Sequence, residues 1–177
     1  MLEVELDQSE DWNRDQNWQK LADAAVNAAF AVSSHGDLAS APFTLSLSIS
    51  LSTDAEVQTL NAQWRGKDKP TNVLSFPMLE VLELDALANT DDGEVLLGDV
   101  ILAFETCQVE TTDKAIPLTN HVTHLIVHGT LHLLGLDHID DAQAEHMESL
   151  EVKALASLGL ANPYSDHSTH TEAAKPA

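Results

Sequence analysis

The stretch His128-Gly129-Thr130-Leu131-His132-Leu133-Leu134-Gly135-Leu136-Asp137-His138 constrains the fold of this chain more than any other. Read as a helix, it sets His128 and His132 on one face with Cβ atoms about 5–6 Å apart. Two imidazoles so placed close on a single ion at roughly 2.0–2.1 Å per bond. Gly135 suits a left-handed helix end because it has no Cβ to clash. The chain then swings back and offers His138 as a third ligand. Three neutral nitrogens suit one Zn2+ and leave a fourth position for water, the arrangement of a catalytic rather than a structural site. A histidine on an apolar helix is commonly a hydrogen-bonded core residue, and a pair at this spacing arises by chance. The glycine and the third histidine at the right offset select the metal reading.

A histidine stripe extends the motif, because His124 precedes His128 by four residues and His121 precedes His124 by three. A His124–His128 pair would lack both the glycine turn and the returning third ligand. These two histidines are therefore read as orienting a ligand ring, meeting substrate or lying at the surface. Zinc peptidases place a glutamate beside the first ligand as general base, and here that position is Gly129. Peptide hydrolysis is disfavoured. Asp137, beside the third ligand, is the nearest carboxylate to act as base. Its position equally suits a helix terminus or a hydrogen-bond partner to a histidine.

A length of 177 residues with 44% hydrophobic content fits one domain with a real core. Cys107 is the one cysteine, so no internal disulfide can form and a reducing compartment is expected. The first residues, Met1-Leu2-Glu3-Val4-Glu5, carry acids where a signal peptide needs positive charge. No run approaches the roughly 18 apolar residues of a membrane span. A soluble, cytoplasmic protein is expected.

A net charge of −21 looks hostile to a polyanionic substrate. Screening acts over about 10 Å, however, so local charge matters more than the sum. Three of the eight Lys and Arg residues fall in Arg65-Gly66-Lys67-Asp68-Lys69, between an expected helix (Thr53–Trp64) and Pro70-Thr71-Asn72. A mobile cationic loop there suits phosphate contact, and an ordinary solvated turn fits the charge pattern equally well. Glu80, Glu83, Asp85, Asp91, Asp92 and Glu94 follow, a stretch expected to form a solvated loop or flap.

The remaining pattern is α+β. Strands are expected at Leu2–Asp7, Phe43–Leu51, Asn72–Phe76 and Gly98–Ala103, the last of them central. Helices are expected at Asp15–Ser33, from Thr53 or Asp54 as cap, from Pro117 through the histidines, and at Asp140–Leu158 up to Gly159. The sequence divides into a single domain over residues 1–161 and a polar tail over 162–177, expected to be disordered. His167 and His170 lie in that tail and are discounted as ligands.

The motif His128-Gly129-x-Leu131-His132-Leu133-x-Gly135-x-Asp137-His138 resembles that of the YbeY family of bacterial endoribonucleases. Three further blocks agree in order: Arg65-Gly66-Lys67-Asp68-Lys69-Pro70-Thr71-Asn72-Val73-Leu74-Ser75-Phe76-Pro77, then Gly98-Asp99-Val100-Ile101, then Met147 with Glu151 on the last helix. One departure is Leu136, where the family has an aromatic residue. The resemblance covers roughly Leu45 to Tyr164. It implies a small mixed sheet packed with helices and a metal site on a central helix, zincin-like in its HxxxHxxGxxH spacing. It implies zinc ligands at His128, His132 and His138, and a functional arginine at Arg65. The activity implied is single-strand-specific, metal-dependent RNA cleavage in ribosomal RNA maturation, at the 3′ end of the small-subunit RNA, and in ribosome quality control.

Combining resemblance and chemistry, zinc polarises a phosphoryl oxygen and activates water. Arg65 presents a bidentate fork to the charge that builds on the phosphate, while Lys67 and Lys69 hold flanking phosphates. Few basic residues mean weak, salt-sensitive RNA binding, so a ribosome or small-subunit protein is the expected partner, with no role for DNA or membrane. Two alternatives stay open: a ribosome-assembly factor in which zinc only stabilises the fold, and a peptidase- or amidase-type metallohydrolase.

Overall fold

A computed structural model describes residues 1–87 and 93–165. Its elements run β1 (Leu2–Gln8), α1 (Trp18–Val32), a 3-10 turn (Gly36–Ser40), β2 (Thr44–Ser52), α2 (Asp54–Arg65), β3 (Val73–Pro77), α3 (Val81–Ala86), β4 (Glu94–Ala103), α4 (Phe104–Lys114), α5 (Leu118–Leu133) and α6 (Asp141–Ser157). The strands form one mixed sheet in the order β1-β2-β4-β3. β1, β2 and β4 are mutually parallel, and β3 closes one edge antiparallel to β4. Parallel neighbours need a crossover, and α1 supplies the one between β1 and β2. The chain is thus an α+β domain whose expected central strand lies inside the sheet.

The strand pattern follows from alternation. Leu45, Leu47, Ile49 and Leu51 of β2 are buried, with serines between them. On β3, Leu74 packs on the far face of the sheet with Val57, Leu60, Phe76, Ile101 and Ala103, under α2. Ser75 faces the other way, toward Gly129 of α5. Thr53 caps α2 by accepting the Glu56 N–H, as a threonine at that position does.

α5 is buried from His121 through Leu131 and again at Leu133. A helix without a polar face belongs inside a protein. It lies on β3 and β4 and is flanked by α1, α4 and α6. His121, His124, His128 and His132 therefore reside on a helix packed on all sides, which reaches solvent only near its two ends, at residues 118–120 and at His132.

The acidic stretch departs from the expected solvated loop. Its first part is α3, where Glu83 accepts the Glu80 N–H at 3.3 Å and Leu84 and Leu87 are buried. Apolar residues on one side dock the turn while its acids face water. Glu94 belongs to β4, and Asp91 and Asp92 lie outside the described residues. Past Ala161, residues 162–165 form a turn, with Tyr164 half-buried against α5 and α6. The remainder of the expected tail, with His167 and His170, lies outside the described residues. Among the described residues no helix is long and apolar enough to cross a membrane.

Candidate metal centre and its cleft

The end of α5 builds the site. Gly135 has φ +94°, which a glycine adopts without steric cost. Its N–H donates to the His132 carbonyl at 3.0 Å and the Leu136 N–H donates to the Leu131 carbonyl at 3.1 Å. This pair of bonds is the Schellman closure. A Cβ at Gly135 would also stand 2.8 Å from Val81 Cγ2 of α3. The reversal brings the His138 ring centroid to 5.0 Å from that of His132 and 5.6 Å from that of His128. One ring nitrogen from each histidine lies within 4.8 Å of the others. His128 is buried, His132 half-buried and His138 exposed, so the centre opens outward through its third member.

Hydrogen bonds on the outer ring nitrogens decide which atoms face inward. His132 Nδ1 meets the Leu136 carbonyl at 2.9 Å. A carbonyl only accepts, so Nδ1 carries the proton. His128 Nδ1 meets Glu151 Oε2 at 3.0 Å. Burial alone would raise the Glu151 carboxyl, but hydrogen bonds from His124 and His128 outweigh it and hold it down at about 2. Glu151 is therefore a carboxylate, and His128 also donates through Nδ1. Both Nε2 atoms then turn lone pairs inward, 3.1 Å apart. Two lone pairs so close repel in the absence of a cation. Two nitrogens bound to one tetrahedral ion at roughly 2.0–2.1 Å would stand about 3.3 Å apart. The donor set fits a divalent metal ion. Burial, then the neighbouring His128 ring, lowers the His132 imidazole to about 4, which keeps it neutral as a ligand must be.

The sequence reading missed the part played by Glu151. Its Oε1 lies 2.6 Å from His124 Nε2 and accepts from the Tyr164 hydroxyl at 2.6 Å. His124 is thus buried, and it orients the carboxylate that orients the His128 ring. His121, also buried, meets Glu110 Oε1 at 2.8 Å, and Asn72 Nδ2 donates to the same oxygen at 3.1 Å. Neither histidine lies at the surface. One signal was available for Glu151: an acid placed among Met147, Leu150, Ala154 and Leu155, on the buried face of α6.

Outside the histidines runs a cleft of about 460 Å³, walled by Arg65, Ser75, Pro77, Val81, His132, Asp137 and His138 among others. Arg65 reaches it from the end of α2, where Gly66 turns the chain at φ +68°. Its guanidinium donates to the Ser75 carbonyl at 2.8 Å and lies 5.8 Å from the Phe76 ring centroid. Asp137 is on the wall, and its Oδ1 accepts the His138 N–H at 2.8 Å. Lys67 and Lys69 are exposed and do not line the cleft. Their loop is tied down, since the Lys67 N–H donates to the Asn61 carbonyl and Asn61 Nδ2 donates to the Lys69 carbonyl. Gly129 faces the sheet, where a Cβ would stand 2.7 Å from Val100 Cγ1 and 3.2 Å from Ser75 Oγ. A peptidase-type glutamate has no room there.

Fold and site together define a single α+β domain with an outward-opening group of three histidines that could hold a metal ion. The sequence model described as Endoribonuclease YbeY matches residues 3–159, and this chain belongs to that family. The Endoribonuclease YbeY of Sphingopyxis alaskensis is 54% identical over 166 residues, covering 94% of this chain and 99% of that protein. The one from Zymomonas mobilis is 51% identical over 172 residues, covering 97% and 98%. The solution structure of TM1509 from Thermotoga maritima shares the fold, with a TM-score of 0.52, 19% identity, and coverage of 97% of this chain and all of that one.

Proposed function

We propose that this protein is a zinc-dependent endoribonuclease that cuts single-stranded RNA in the maturation of ribosomal RNA, at the 3′ end of the small-subunit RNA, and in ribosome quality control. The observation that carries the reading is the placing of Arg65, His132 and His138 on the walls of one cleft. The names of the similar proteins supply the RNA substrate.

His128, His132 and His138 would hold the ion. When bound, Zn2+ supplies Lewis acidity toward a phosphoryl oxygen and makes water more acidic. The rest falls to the chain. Arg65 sets a cation on the wall of the cleft that His132 and His138 also line, where a planar guanidinium pairs with two phosphate oxygens at once. Asp137 holds His138 through Oδ1 and leaves Oδ2 to take a proton at the cleft wall. A flexible single strand can bend a phosphate into such a cleft, whereas a duplex presents its regular surface. Lys67 and Lys69 meet the flanking phosphates outside it. With eight basic residues in the whole chain, RNA affinity is weak and falls with salt. A ribosomal or small-subunit protein partner in the cytoplasm then delivers the substrate.

The test is cleavage of a labelled single-stranded RNA and its matched duplex by the native protein and by Arg65→Ala. Cleavage of the single strand alone is expected, with Arg65→Ala inactive yet carrying the native amount of zinc. Native-rate cleavage by Arg65→Ala would remove that residue from the mechanism. Zinc binding without RNA turnover, with ribosome assembly disturbed on depletion, would favour a non-catalytic assembly factor.

A further inference from the structure

Tyr164 is the one tyrosine of the chain and lies beyond α6. The segment after α6 turns back so that its ring meets the His124 ring edge-on, with centroids 5.4 Å apart at 90°. Its hydroxyl donates to Glu151 Oε1 at 2.6 Å and lies 3.2 Å from His124 Nε2. The Asn162 side chain holds the turn by accepting the Tyr164 N–H at 2.8 Å. We propose that Tyr164 is a positioning residue of the metal centre, clamping Glu151 so that its other oxygen meets His128 Nδ1, and that metal loading and docking of the C-terminal turn are coupled.

The geometry leaves little choice of direction. Glu151 is 1% exposed and receives three donors: Tyr164 and His124 on Oε1, His128 on Oε2. Two bonds on one oxygen fix the rotation of the carboxylate plane and thereby aim the other. Burial, then the charge of Glu151, pushes the Tyr164 phenol far up, so it remains a donor at any working pH. Remove the hydroxyl and Oε1 keeps only His124, whose ring sits on the same helix as His128 and His132 and cannot anchor the carboxylate from outside. Without the ion the lone pairs on His128 Nε2 and His132 Nε2, 3.1 Å apart, repel, and that push is transmitted through His128 Nδ1 to Glu151 and Tyr164. Coupling between two binding events is reciprocal. An ion that favours the aimed His128 therefore also favours the docked turn, and a docked turn favours the ion.

This inference rests on the metal reading of the three histidines but not on RNA cleavage, so it is tested with Zn2+ alone on the full chain. Competition against a chromophoric zinc chelator compares the native protein with Tyr164→Phe, which keeps the ring against His124 and deletes only the hydroxyl. Zinc affinity is expected to fall about tenfold, the low end of what loss of an outer hydrogen-bond partner costs a metal site. In the native protein labelled at tyrosine, the single ring resonance is expected to shift as zinc is added. Equal affinity in the two proteins would overturn the proposal, as would a tyrosine resonance indifferent to zinc, which needs no variant to fold. A native protein that binds no zinc would overturn this proposal and the metal reading together, whatever its action on RNA.

Discussion

Glu151→Gln separates the carboxylate's charge from its shape. The carboxyl sits at about 2 against an ordinary 4.5, a difference worth about 3 kcal/mol of folding stability. Its folded value is below its unfolded one, so this stability is present above pH 4.5 and is lost as the pH falls through about 2. A glutamine offers one acceptor and one NH2 group to three donors. The NH2 must confront either His128 Nδ1–H or the pair His124 Nε2–H and Tyr164 O–H. One charge-assisted contact is replaced by two donors facing each other, at a cost of about 1.5–3 kcal/mol. Urea unfolding of the metal-free variant should show that loss at pH 7, and the variant should lack the acid decline between 4.5 and about 2. Zinc affinity should drop about 10- to 100-fold, because His128 loses the group that fixes its ring. Native zinc affinity in Glu151→Gln would refute the claim that this carboxylate orients the ligand, and an unchanged acid profile would refute its ionised state.

Gly129→Glu restores the peptidase spacing but must push into Val100 and Ser75; it should destabilise by at least about 1–3 kcal/mol from overpacking alone, and turnover of a peptide panel would contradict the packing argument. His132, held at about 4 against an ordinary 6.5, contributes stability to the metal-free protein above pH 6.5 that is lost as the pH falls to about 4. Urea midpoints should fall across that interval and fall less in His132→Ala. Lys67→Ala and Lys69→Ala lie outside the cleft, so each should lower the salt dependence of RNA binding by a slope of about 0.7 while leaving the rate on saturating RNA intact; a lost rate would place them inside the chemistry.

What was legible in the sequence was local. The three clustered histidines and the glycine lie within eleven consecutive residues, and one turn geometry brings them together. Strands β1 and β2 announced themselves by strict alternation, and the expected boundaries hold within a few residues. Tertiary packing hid the rest. α4 starts directly from β4 with Ala103 at its cap and no side-chain capping bond, so no start signal marks it. α3 lay within an acidic run whose few leucines decide its docking. Trp12, in a polar loop, is 1% exposed because its indole donates to the Ser52 carbonyl and its ring packs on Trp18 and Phe104. Glu151 and Tyr164 join the site across separations of 23 and 13 residues along the chain. No local period encodes those contacts.

The most direct test is cleavage of a labelled single-stranded RNA by the purified protein beside His132→Ala prepared in the same way. Cleavage by the native protein and none by the variant is the predicted result, since the half-buried His132 is one of the three histidines that could hold the ion and also walls the cleft. Equal cleavage by both, or by neither, would contradict a histidine-bound metal as the seat of the activity.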